Sequence, residues 1–243
     1  MNNNTAVNTA RPRLITWAGY VALVCLILLP LAVLIVRAGQ WQPGLGLYAL
    51  ASLGSVLVLL ISVIQLLLPK LGNWRGAIGK NLLFALPGAV LLFSTLGTRG
   101  SLPPIHDIST DTDNPPQFVA AAKERGPDAN SLAIKPDFIE QQKAAYADLG
   151  PQRSVLSADE AFTRALEIAS QLGWRVYHEN RSTGVIEAVD TTGIMGFKDD
   201  IVIRIRSSAT GSQLDLRSVS RVGVGDLGAN AERIKAFQSA FSQ

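Results

Sequence analysis

Three long uncharged apolar stretches near the N-terminus constrain this chain more than anything else in it. A helix needs only ~20 such residues to cross the hydrocarbon core of a bilayer. Leu14 to Val36 supplies 23 between Arg13 and Arg37. A second stretch carries no charge from Ala38 to Pro69, with its apolar centre at about 45–68. A third, Asn81 to Thr98, has 18 uncharged residues flanked by Lys80 and Arg99, whose long stems can reach toward the headgroups. The reading is therefore three transmembrane helices, at about 14–36, 45–68 and 81–98, within a membrane domain of residues 1–100. Pro30, Pro87 and several glycines within the runs are tolerable where neighbouring helices satisfy the freed backbone groups, and they point to packing among the three. A cleaved secretory signal is a poorer fit to the first run. Its apolar length exceeds the usual ~7–15 residues, and no A-x-A-like cleavage site follows.

Charge divides the chain at the same place. The first hundred residues hold seven Lys or Arg and no Asp or Glu, whereas residues 101–243 hold 15 Lys or Arg against 19 Asp or Glu. The overall pI of about 9.2 thus belongs to the anchor. An acidic soluble part lacks the broad positive field that a phosphate backbone needs, which argues against nucleic acid as a partner. Arg11 and Arg13 precede the first run and Lys70, Arg75 and Lys80 follow the second, so the positive-inside rule puts these five in the cytoplasm. Three crossings then place the C-terminal part outside: a multi-pass protein of a bacterial inner membrane with a periplasmic or extracellular domain. The single cysteine, Cys25, lies in the first run, so no intrachain disulfide can form.

Residues 101–116 contain four prolines and read as an extended connector. Asn114 before Pro115 predicts an N-cap and a short helix through about Glu124. A second short helix is expected from Pro136 to Leu149. Ser157 and Glu160 form a capping-box pattern. Ala158, Ala161, Phe162, Ala165, Ala169 and Leu172 then line one helical face, which Gly173 can close. Period-two alternation follows. Trp174, Val176 and His178 share one side of a strand, and Ile186 and Ala188 mark the next. Ile201, Ile203 and Ile205 alternate with Arg204 and Arg206, and Leu214 and Leu216 alternate with Asp215 and Arg217. A last helix places Leu227, Ile234, Phe237 and Phe241 on one stripe, with Asp226 as N-cap. The expected fold class is α+β, a two-layer domain over residues 101–243 with an antiparallel sheet of about four strands packed by helices.

Motifs that would carry chemistry are weak. His106, Asp107, Asp111 and Asp113 match no known metal loop, so no metal is expected, and no cofactor fingerprint occurs. Neither histidine lies near a nucleophile elbow. Gly223, Gly225 and Gly228 precede the last helix but lack the G-K-[ST] ending of a phosphate loop, and the simpler reading is a tight turn. The polar face of the sheet could gather Arg175, Arg204, Arg206 and Arg217 with Glu187 and Asp215. That is either an anion site of guanidinium forks or an exposed face of cross-strand ion pairs.

Three separated phrases, PPIHDISTDTDNPPQF at 103–118, GFKDDIVIRI at 196–205 and RSVSRVGVGDLGANAERI at 217–234, together resemble the bacterial family catalogued as domain of unknown function 1499. The resemblance covers essentially all of residues 101–243 and implies attention to His106, Asp107, Asp111, Lys198, Asp199, Asp200, Arg221, Asp226, Asn230 and Arg233. It implies no particular reaction. Gly225 stands where the family usually has serine, so no hydroxyl can act there. If Lys198, Asp199 and Asp200 converge with the connector acids or with Arg221 and Asp226, they either form a polar network that holds the connector onto the domain or make a small site. The expected function is that of a non-enzymatic inner-membrane protein whose outer domain binds a partner or envelope ligand, a protein or a lipid, beside the lipid bilayer. The rival is a membrane-tethered, hydrolase-like enzyme using the connector and sheet carboxylates with Arg221 as anion anchor. A third reading makes the helices a subunit of a larger transport complex.

Overall fold

The computed structural model describes residues 10–99 and 102–243, in two compact units that divide between Gly97 and Thr98. The N-terminal unit has three helices long and apolar enough to cross a membrane: α1 (Arg13–Arg37), α2 (Trp41–Leu67) and α3 (Arg75–Arg99). A 3₁₀ turn, Pro69–Trp74, joins the last two, so the third helix begins earlier than the uncharged stretch alone suggested. Between helices in lipid, attraction depends on close packing rather than on the hydrophobic effect, so small residues gather at the contacts. An added Cβ at Gly44 would meet the backbone of Ala32 and Val36, one at Gly54 the Cys25 sulfur, and one at Gly88 the Ser55 side chain. Asn81 donates from Nδ2 to the Ile15 carbonyl at 2.9 Å. Leu50, Leu53, Leu57, Leu60 and Ile64 face outward, as lipid-facing positions should.

The second unit is an α+β domain around one antiparallel sheet, in the order β1-β6-β5-β4-β3. A meander of β3 (Arg175–Asn180), β4 (Val185–Thr191), β5 (Lys198–Ser208) and β6 (Gly211–Ser220) makes up most of it. Two three-residue strands, β1 (Asp107–Ser109) and β2 (Gln152–Ser154), pair with β6 on its outer side. They bring the described strands to six rather than four. Strands this short carry no period to read, and the backbone of β6 alone makes them strands.

Helices α6 (Ala158–Gln171) and α7 (Ala229–Phe241) cover the apolar face of the sheet. The capping box of Ser157 and Glu160 starts α6, and Gly173, at φ 77°, closes it. Ile186, Ala188, Ile201, Ile203, Ile205, Leu214 and Leu216 meet Phe162, Ile168, Ile234 and Phe237 in one core, where the Trp174 and Phe237 rings stack at 5.6 Å.

Five local expectations change. α4 is one turn, Ala121–Glu124, rather than a helix from Asn114, and Asn114 instead donates its N–H to Asp111. α5 (Pro136–Ala145) ends before Leu149. A bulge between Val176 and His178 breaks the alternation of β3, so His178 pairs with Glu187 on the opposite face from Trp174 and Val176. Leu227 leaves the core stripe of α7 and is exposed at φ 54°, the sole non-glycine residue with positive φ among those described. Gly228 holds the N-cap position of α7, while the Asp226 carboxylate accepts from the N–H groups of Gly228 and Asn230.

Candidate functional site

Alternation along a strand sends successive side chains to opposite faces, and here the second face of the sheet is charged. Asp200, Arg204 and Arg206 of β5 lie beside Asp215 and Arg217 of β6 and Glu187 of β4. Its guanidiniums are spent on carboxylates and carbonyls rather than offered to an anion, and the cross-strand pairing of the second reading is present, Arg204 with Asp215 at 3.0 Å. The face is largely covered rather than exposed: an irregular strap, residues 110–135, lies across it and pairs with its charges, leaving Arg175 and Arg206 at the rim. The strap backbone does much of the pairing. Glu187, fully buried, accepts from the N–H groups of Val119, Ala120 and Ala121, which caps α4 from below. That carboxylate replaces Asn114 as the cap, and its partners explain why the helix starts only at Ala121.

Arginines hold the remaining carboxylates. Arg217 makes a two-pronged pair with Asp107, at 2.9 and 2.7 Å, and donates to the carbonyls of Pro116 and Leu132. Arg204 bridges Asp111 and Asp215, at 2.9 and 3.0 Å, and Arg206 joins Asp215 at 2.6 Å. Asp200, with no exposed surface, is gripped by Arg221 at 2.9 and 2.7 Å and by Arg125 of the strap at 2.6 Å. Arg125 Nη2 donates to the Asn130 carbonyl, and Asn130 donates in turn to the carbonyls of Ser220 and Gly223. Of the four arginines weighed in the sequence, Arg175 and Arg206 stay exposed, Arg175 paired with Glu124 at 2.7 Å.

A second polar cluster lies at the α7 end of the opposite face. Arg233 donates to Asp190 at 2.8 Å and to Asp199 at 2.6 Å, and its third nitrogen reaches Asn230 at 2.8 Å. Asn230 receives from Ser218 and donates to Ser220 and to the His106 carbonyl. Buried His106 donates its Nδ1–H to the Val224 carbonyl, at 3.0 Å, and meets the Phe138 ring edge-on.

The ten residues singled out in the sequence therefore divide. Asp107, Asp111, Asp200 and Arg221 work on the strap side. His106, Asp199, Asp226, Asn230 and Arg233 work on the α7 side. Lys198, at the start of β5, is exposed and joins neither. They do not converge on one cleft. Among the described residues no group of three or more His, Cys, Asp or Glu is placed to hold a metal ion. The cavity beside the strap, lined by Asp107, Phe138, Gln142 and Arg217, measures about 10 Å³, the room of a single water. Arg125, Asn130, Tyr177 and Asp190 also belong to the two clusters, and no local motif marks them.

Burial sets the electrostatics. It pushes the Tyr177 phenol far above its ordinary range, and the nearby carboxylates Asp200 and Glu187 push the same way. Burial likewise raises the Asp199 carboxyl, against the lowering pull of Arg233 and Ser220. On the exposed rim the hydrogen bond from Arg175 lowers Glu124.

A membrane-associated chain with an α+β domain of buried ion pairs is the class defined so far. The sequence profile described as protein of unknown function (DUF1499) matches residues 107–241, more than half of the chain, and the protein belongs to that family. No curated protein matches it.

Two measurements check this account. Asp200→Ala leaves two buried guanidiniums unpaired and should cost about 3–5 kcal/mol, whereas Lys198→Ala on the exposed neighbour should change stability by less than about 0.5 kcal/mol. Pulse proteolysis of the full chain in urea reads both. Tyr177 keeps its proton in the folded state while the unfolded phenol loses its own above about pH 10, so the folded state binds more protons there and stability falls as pH rises. Tyr177→Phe should cost under about 1 kcal/mol at pH 7, since the contact with Asp200 is long at 3.4 Å, and should make the decline above about pH 10 shallower.

Proposed function

We propose that this is a non-enzymatic inner-membrane protein whose C-terminal domain lies outside the cytoplasm and binds a protein partner or envelope ligand close to the bilayer. The observation that carries the reading is the occupation of the carboxylates. Asp107, Asp111, Asp199, Asp200 and Asp215 each face at least one guanidinium within 2.9 Å. Arg221, which the hydrolase-like reading needs as an anion anchor, spends two nitrogens on Asp200 and the third on the Glu124 carbonyl. A general acid or base must be free to exchange its proton with substrate, and an anion anchor must have donors to offer. Side chains clamped in this way serve instead to keep a rigid surface, which is what recognition requires.

The orientation rests on Arg11, Arg13, Lys70, Arg75 and Lys80, all on the side of the helices that the positive-inside rule assigns to the cytoplasm. In a bacterial cell the domain then occupies the periplasm or outer surface. A cysteine placed at Val155, which is 89% exposed, should react with a membrane-impermeant maleimide once outer barriers are opened but the inner membrane is intact. Labelling only after lysis would reverse the topology.

Partner binding is tested in native membranes by placing a photo-crosslinking residue at Val119, Val155 or Ile194 of the full chain, all exposed apolar positions on the domain. Discrete products of defined mass from at least one position are expected. Their absence at all three, with turnover of a substrate by the purified chain, would leave the enzyme reading in its place.

A further inference from the structure

The loop between β6 and α7 contains two charged residues, and neither offers its charge to solvent. Arg221 turns inward to Asp200, and Asp226 turns to the N-terminus of α7. Between and after them the loop shows apolar side chains: Val224 is 79% exposed and Leu227 is 43% exposed. Leu227 holds a left-handed backbone conformation, which a branched side chain adopts only when its surroundings impose it. Glycine or asparagine would be easier there and more soluble.

Covalent geometry limits how far this loop can lie from the end of α3. It leans on the first residues after the membrane helices. Asp226 donates its N–H to the Ile105 carbonyl, Gly225 packs against Pro104, an added Cβ at Gly228 would meet Leu102, and His106 bonds to the Val224 carbonyl. Leu102 is three residues beyond Arg99, the end of α3, so the chain can separate them by no more than roughly 11 Å. Whatever the orientation of the domain, Val224 and Leu227 are tied to residues that cannot leave the vicinity of the membrane exit. A cation is close by as well: Lys135 lies over the Phe138 ring, whose edge meets His106, and Ile134 is next to it.

From these observations we infer that the 223–228 loop is an interfacial anchor, which inserts Val224 and Leu227 into the headgroup and upper acyl region of the bilayer that holds the chain's own helices, with Lys135 toward the phosphates. Tethering makes a weak contact sufficient. A short linker gives an effective concentration on the order of mM, so an intrinsic affinity that would be negligible for a free domain keeps the loop docked. The inference rests on the anchor and the loop, and stands or falls independently of partner binding.

Its test uses the full chain, with Cys25→Ala, reconstituted in phosphatidylcholine and phosphatidylglycerol vesicles. An environment-sensitive fluorophore is attached at Val224→Cys or, as control, at Val155→Cys. Val155 adjoins Gly211 at the opposite end of β6, ten residues and roughly 30 Å along the strand from the loop. Lipids with brominated acyl chains should quench the label at 224 several-fold more than the label at 155, and aqueous iodide should quench the label at 155 more. Equal quenching by brominated lipid at the two positions overturns the inference. So does a label at 224 shielded from both lipid and iodide, which would mean that protein covers the loop. Thermal unfolding of both labelled chains, matched to the parent, establishes that the comparison is between folded proteins.

Discussion

Everything on the charged side of the sheet depends on how carboxylates without solvent are compensated, and Asp200 is the sharpest instance. It lies in β5, an inner strand of the meander, and its neighbours are a guanidinium from the residue after β6 and another from the strap. A carboxylate of this kind loses its hydration on folding, and only charge-assisted bonds to both oxygens offset that loss. Arg221 supplies two such bonds and Arg125 a third, so the carboxylate, the loop after β6 and the strap are fixed together. Remove the carboxylate and both guanidiniums lose their countercharge; remove either arginine and the carboxylate keeps only the other.

The same logic explains how a strap with almost no regular structure stays closed over a sheet. Residues 110–135 contribute one helical turn, yet their backbone groups find partners below: Glu187 takes three N–H groups, Arg217 takes two carbonyls, and Arg204 takes the Asn114 carbonyl. Buried backbone must be paired, and where no ladder is available charged side chains can do it. Hydrophobic burial on the opposite face, centred on Phe237, supplies the general driving force for folding. The charged face adds specificity, since each arginine fits one arrangement of acceptors. The buried ion pairs gather where family resemblance concentrates, and apolar exposure on the domain lies at loops such as that of Val224.

Legibility in the sequence followed the range of the interaction. The capping box at Ser157, the alternation of Ile201, Ile203 and Ile205, and the closing glycine at 173 are local patterns, and each appears in the structure where the pattern put it. The bulge at Val176 and His178 was not legible, because one inserted residue leaves composition unchanged while it reverses every later side chain. Nor was the start of α4, whose cap comes from Glu187, 66 or more residues away in the chain. Leu227 fitted the helical stripe by spacing, but Asp226 and Gly228 turn the backbone before the helix begins. For the candidate site, the phrases marked Asp107, Asp200, Arg221 and Arg233 as a set. They could not say that the set splits between two faces, nor name Arg125 and Asp190 as partners.

By itself, then, the sequence determined the division of this protein into membrane helices and an α+β domain, the identity of most of its strands and helices, and the family to which it belongs. Periodicity and charge are properties of neighbouring residues, and neighbours are what a sequence displays. Tertiary structure alone decided that the charged face is a buried layer under a strap, that two polar clusters exist where one was conceivable, and that the glycine loop turns its charges inward and its valine and leucine outward. The reason is distance along the chain: Arg221 and Asp200 stand 21 positions apart and Arg217 and Asp107 stand 110 apart, and only a folded backbone brings such residues within the 3 Å at which a hydrogen bond can choose its partner.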